Sequence, residues 1–223
     1  MRRFGVRVLS VGGLLAAQMI FAHEATRSEG LQAQTNFISD DDGGVVQIVP
    51  VGLTASVPGK ANAAPVMKSI QQVSIFLGST WAGQSARNRE AWLSDLTGHA
   101  ELAPLHTRNV DVFPAAPSVE DLANLKEPLN DLAIQKKLLE LLDRNVLSAP
   151  NASTVFVVFL APGVKLTVGT QTAGVHFAAY HNLVHVEAGE LRYVVVPFNE
   201  DVSHHAKAAS LGIVDTAFNP ASN

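Results

Sequence analysis

Seven residues, Thr154-Val155-Phe156-Val157-Val158-Phe159-Leu160, carry no polar side chain after the first. A strand with one wet face alternates apolar and polar residues. A strand apolar on both faces must be covered on each side, as in the centre of a helix-flanked sheet. Pro162-Gly163 then turns the chain, and Val164, Leu166 and Val168 alternate with Lys165 and Thr167 as a half-exposed strand should. Val175 to Tyr180 and Leu191 to Val196 read as two further strands joined through Ala188-Gly189, and Val202 to about Phe218 reads as a closing helix.

Upstream, Ile134, Leu138, Leu141 and Leu142 follow i, i+4, i+7, i+8 spacing, with Gln135, Lys136, Lys137 and Glu140 turned to water. This is the clearest helix in the chain, capped by Asn130 or Asp131 and ending near Asn145. Residues 99–130 contain Pro104, Pro114, Pro117 and Pro128 and read as loop with room for one helical turn. Before them, Val73 to Leu77 form a short buried strand ending at Gly78. A helix is expected from Asn88, its cap, to Thr97, with Ala91, Trp92 and Leu96 inward and Gly98 as the stop. The whole predicts an α/β domain over residues 67–223, a mixed sheet of about five strands flanked by helices.

Residues 23–66 are small and polar and read as a flexible leader, with one strand-length apolar run from Val45 to Val51. Asp40-Asp41-Asp42 lacks EF-hand spacing and a distal bidentate Glu, so it reads as a solvated turn. Residues 1–22 have a basic start (Arg2, Arg3, Arg7), an apolar core from Val8 to Phe21 and small residues from Ala22. That is the layout of a secretory signal cleaved near Ala22, the alternative being an uncut anchor. Arg2-Arg3-Phe4 hints at twin-arginine export. The expected product is secreted or periplasmic, with no membrane span after signal removal.

Composition sets outer bounds. The chain has 223 residues, 47% of them hydrophobic and 16% charged, so wholesale disorder is excluded. The absence of cysteine excludes disulfides, thiol catalysis and Cys-type zinc fingers. A formal charge of −4, falling to −7 once Arg2, Arg3 and Arg7 leave with the signal, is no footprint for nucleic acid.

Four segments, taken in order, resemble the Exordium family, the phosphate-induced proteins of plants and their bacterial relatives. They are Val73-Ser-Ile-Phe-Leu-Gly-Ser-Thr-Trp81, Leu147 through Val164, Phe177-Ala-Ala-Tyr-His-Asn182 and Tyr193-Val-Val-Val-Pro-Phe198. The likeness covers residues 70–200 and implies an extracellular α/β protein of poorly defined biochemistry. Many relatives carry His-Glu-x-x-Glu on a later helix, shortly before Asn-Pro or Asp-Pro. Counting back from Asn219-Pro220, those positions fall here on Leu211, Gly212 and Asp215. A second register places His204 and His205 on the first two, with Ala208 one turn along. Neither register supplies two ligands and a general base. The chain also stops at Asn223, where relatives continue, which raises the reading of a shortened product whose lost tail carried the function.

The remaining chemistry is thin. There is no Gly-x-Ser-x-Gly elbow for Ser153 or Ser210, Gly43-Gly44 lacks the lysine of a phosphate loop, and Glu187 and Glu190 bracket a turn. Trp81, His176 and Tyr180 are candidate ligand-binding residues, with Trp81 and Trp92 also readable as core. The expectation is an exported, non-catalytic Exordium-like domain with a binding or structural role, no cofactor and an unknown partner. The alternative is a zinc-dependent, peptidase-like hydrolase using His181, His204, His205 and Asp215.

Overall fold

Strand β5 (Thr154–Leu160) lies between β3 (Ser69–Leu77) and β9 (Gly189–Val196), parallel to both. The computed structural model describes residues 37–39, 45–52, 66–125 and 128–218. The expected signal, the triple aspartate and Asn219-Pro220 lie outside them.

Seven strands form the sheet in the order β1-β2-β8-β9-β5-β3-β4. The others are β1 (Phe37–Ser39), β2 (Val45–Pro50), β4 (Asp111–Asp121) and β8 (Phe177–Val186). β4, β3, β5 and β9 are mutually parallel, while β8, β2 and β1 continue antiparallel, so the sheet is mixed. Short strands β6 (Thr167–Val168) and β7 (Gln171–Thr172) pair only with each other.

Two cores result from the strand period of two. Val155, Val157 and Phe159 enter the core beneath α1 (Gln84–Leu93), α2 (Ala103–Thr107) and α4 (Val202–Phe218). Phe156, Val158 and Leu160 enter the core beneath α3 (Asp131–Asp143). The architecture is therefore α/β with helices on both faces. Among the described residues no helix is long and apolar enough to cross a membrane.

Helix α3 begins where its pattern says it should: the Asn130 side chain accepts a hydrogen bond from the Ala133 amide at 2.9 Å. Three expectations need correction. The sheet has seven strands, because β1 and β2 join its antiparallel edge and residues 111–121, expected as loop, form β4 at the other. Proline lacks an amide hydrogen and is tolerated at a sheet edge, and β4 carries Pro114 and Pro117 at that edge with shifts in its register against β3. The run Val164–Val168 contributes only Thr167 and Val168 to a strand, off the main sheet. Helix α1 starts after Gly83 and ends at Leu93, earlier than Asn88–Thr97, so Leu93 is buried and Trp92 points outward with 62% of its surface exposed.

Candidate functional site

In open sheets of this kind, ligands usually settle beyond the carboxyl ends of parallel strands, where consecutive connections diverge. Here that place is the junction of β3 and β5, and it is filled. Gly78, at φ +120°, packs so closely that a Cβ on it would lie 2.6 Å from Ala161 Cβ. Thr80 Oγ1 closes the same gap by donating to the Pro162 carbonyl at 3.1 Å.

An open cleft lies instead beside the start of α4. Arg89, on α1, donates to the carbonyls of Asn199 and Glu200, the latter at 2.6 Å, and its guanidinium lies 4.8 Å from the Phe198 ring centroid. These bonds fasten the segment after β9 to α1. Asp201 then caps α4, its Oδ1 accepting from the Ser203 amide at 2.9 Å and the His204 amide at 3.3 Å. The resulting cleft has a volume of about 430 Å³ and is lined by Trp92, His99, Glu101, Asp201, His204 and Lys207, among others. His99 Nδ1 and Glu101 Oε2 stand 3.9 Å apart on one wall.

Sharing His204 with it, a cavity of about 40 Å³ is lined by Phe198, Asn199, His204 and His205 with their neighbours. His205 is buried edge-on to Phe159, with ring centroids 5.2 Å apart. Burial first, and then the Arg89 charge, push its imidazole down to about 3. It is neutral at ordinary pH. A separate groove of about 300 Å³ lies between β4 and the chain after α3, and its lining offers hydroxyl and amide groups but no ionisable side chain.

The candidate metal residues are dispersed. His181 on β8 pairs with Val194 of β9, whose side chain lies in the core under α4, so His181 faces that core too. Burial pushes its imidazole down to about 3, and its Nε2 has no hydrogen-bond partner among the described residues. Asp215 follows His205 by ten residues on α4, about 15 Å along the axis at the helical rise, so the two cannot share an ion. Burial pushes the Asp215 carboxyl up to about 7. Only His204 reaches the open cleft. Among the described residues, no three His, Asp or Glu side chains are grouped to hold a metal.

The candidate binding residues also lie apart. Trp81 is buried under α4, its Nε1 donating to the Phe159 carbonyl at 3.2 Å and its ring 5.1 Å from Phe76. Tyr180 is buried on the opposite face, edge-on to Tyr193. His176 is exposed in the turn before β8, where its Nδ1 accepts from the Thr172 amide at 2.9 Å. A register shift where β8 meets β2 puts Phe177 and Tyr180 into one core, which strict alternation would separate.

Sequence reasoning missed a buried polar network under α3. Tyr193 Oη donates to Asp131 Oδ1 at 2.8 Å, while Asn182 Nδ2 and Gln135 Nε2 donate to Oδ2 at 2.9 and 2.7 Å. Burial raises the Asp131 carboxyl above its usual range, against the pull of Tyr193, Tyr180, Asn182 and Gln135. The available signal was a polar group repeated on one strand face, Tyr180 and Asn182, opposite the lone Tyr193 in a valine run. It missed the cleft because Trp92, His99 and Asp201 come from three separated segments with no shared motif. Comparison with protein-family models, with curated proteins and with solved structures finds no match for this chain.

Proposed function

We propose that this chain is an exported, Exordium-like domain that works by binding rather than by catalysis, using the cleft beside the start of α4. One observation carries the reading: Trp92 stands 62% exposed next to Glu101, His99, Asp201, His204 and Lys207 in an open cleft of about 430 Å³. Leaving an indole in water forgoes the stabilisation its burial would bring, and aromatic rings beside polar groups are typical of ligand-contacting surfaces. The imidazoles of His181 and His205, by contrast, are held neutral inside the core, where they serve packing.

The competing reading, a zinc-dependent hydrolase, draws its support from His204, which lines the cleft with His99, Glu101 and Asp201. Metal content and hydrolysis separate the two. The purified mature protein is expected to carry well under one equivalent of zinc by mass spectrometry. It should also show no cleavage of casein that a chelator abolishes. One equivalent of zinc, lost in His204→Ala together with chelator-sensitive cleavage, would overturn the non-catalytic reading.

A further inference from the structure

We propose that the cleft takes a neutral carbohydrate, with one pyranose ring laid against the Trp92 indole. The inference rests on the binding reading above and deepens it. Three observations point the same way. First, the exposed indole offers a ring whose π-face is electron-rich, and the axial C–H groups of a pyranose present a partly positive, apolar face that complements it. Second, the walls mix acceptors and donors around that ring: Glu101 and Asp201 accept, Lys207 donates, and His99 and His204 have nitrogens of either role. A ligand dense in hydroxyls, each both donor and acceptor, matches such a lining. Third, the charges are nearly balanced, two carboxylates against one ammonium, so the cleft has no strong preference for a phosphate or for a polycation.

Size agrees with this choice. The cleft of about 430 Å³ lies at the lower end of the ~300–1,000 Å³ expected of small-molecule sites, enough for one or two sugar rings. Its open side lets a longer chain run out into solvent. The fastening of residues 198–200 by Arg89 and the capping of α4 by Asp201 fix both walls before any ligand arrives. Less ordering is then needed on binding.

The experiment uses the full mature chain titrated with maltotriose, cellotriose and chitotriose. It reads tryptophan emission and calorimetric heat. Trp81 is buried and Trp92 exposed, so a blue shift on binding reports Trp92. At least one trisaccharide is expected to bind, with affinity reduced at least tenfold in Trp92→Ala, restored to within about threefold in Trp92→Phe and reduced in Glu101→Gln. Silence with all three sugars, alongside Trp92-dependent binding of a sulfated trisaccharide or of pentalysine, overturns the assignment to a neutral carbohydrate and leaves the cleft as a binding site for a charged ligand. If Trp92→Ala alters the binding of none of these probes, both the assignment and the binding reading fall.

Discussion

The ionisable groups under α3 and under α4 are buried in opposite ways. Under α3, the Asp131 carboxyl collects hydrogen bonds from Tyr193, Asn182 and Gln135, drawn from two strands and its own helix. Under α4, His181, His205 and Asp215 are buried chiefly at the expense of their charged forms, and burial is the leading cause of all three pKa shifts. A polar group in a core must be satisfied or neutral. The α3 face uses the first solution, which ties α3 to β8 and β9 in one register. His181, His205 and Asp215 use the second, and their shifts make their contribution to stability depend strongly on pH.

That contrast can be broken from either side. The largest effect is expected from Asp131→Ala, which strands the buried donors of Tyr193 and Asn182 and the half-buried one of Gln135. Each unsatisfied donor costs roughly 1–3 kcal/mol, so urea unfolding should show a loss of about 5 kcal/mol, with Asp131→Asn losing less because one acceptor remains. A loss under about 1 kcal/mol would mean the network is not a structural tie.

The α4 face is probed by pH. The two imidazoles have folded values of about 3 against an ordinary 6.5, so the unfolded chain takes up protons first, and their contribution, complete above 6.5, is lost as pH falls toward 3. The combined variant His181→Leu, His205→Phe should therefore gain on wild type by about 4 kcal/mol at pH 5 relative to its standing at pH 7.5, at roughly 1.4 kcal/mol per unit and group. Asp215 has the opposite sign. Its folded value of about 7 lies above the ordinary 3.8, so stability is lost as pH rises through that interval. Asp215→Asn should gain about 4 kcal/mol at pH 8 relative to its standing at pH 4. Parallel curves for variants and wild type would show that these groups titrate alike in both states.

The smallest effect sharpens the packing of the same face. A Cβ on Gly212 would overlap the Val194 side chain. Alanine favours helix over glycine by up to about 1 kcal/mol, while overpacking costs roughly 1–3 kcal/mol. Gly212→Ala should thus lose about 1 kcal/mol by thermal unfolding, and the same change made in a Val194→Ala background should cost less than it does in wild type. A stabilised single variant would show that α4 can lift off the sheet without cost.

What was legible depended on whether the deciding forces were local. β5 announced its place through two apolar faces, α3 through its spacing and Asn130 cap, and α4 through its length. β4 was hidden because its prolines signal loop unless the strand is known to lie at an edge. α1 was misframed because Asn88 looks like a cap, yet the helix starts without any side-chain cap. Asp131 was visible only as a helix-start residue, since its three partners lie up to 62 residues away.

By itself, the amino-acid order determined that β3, β5, β8 and β9 are buried strands and that α3 and α4 are helices, because apolar periodicity is written along the chain and burial must honour it. Which polar side chains meet was decided only when the sheet closed. That choice depends on register and crossover, and both are set by contacts between distant segments. Asp131 therefore finds Tyr193 and Asn182, His181 and His205 are drawn into the core under α4, and Trp92 remains outside in the cleft.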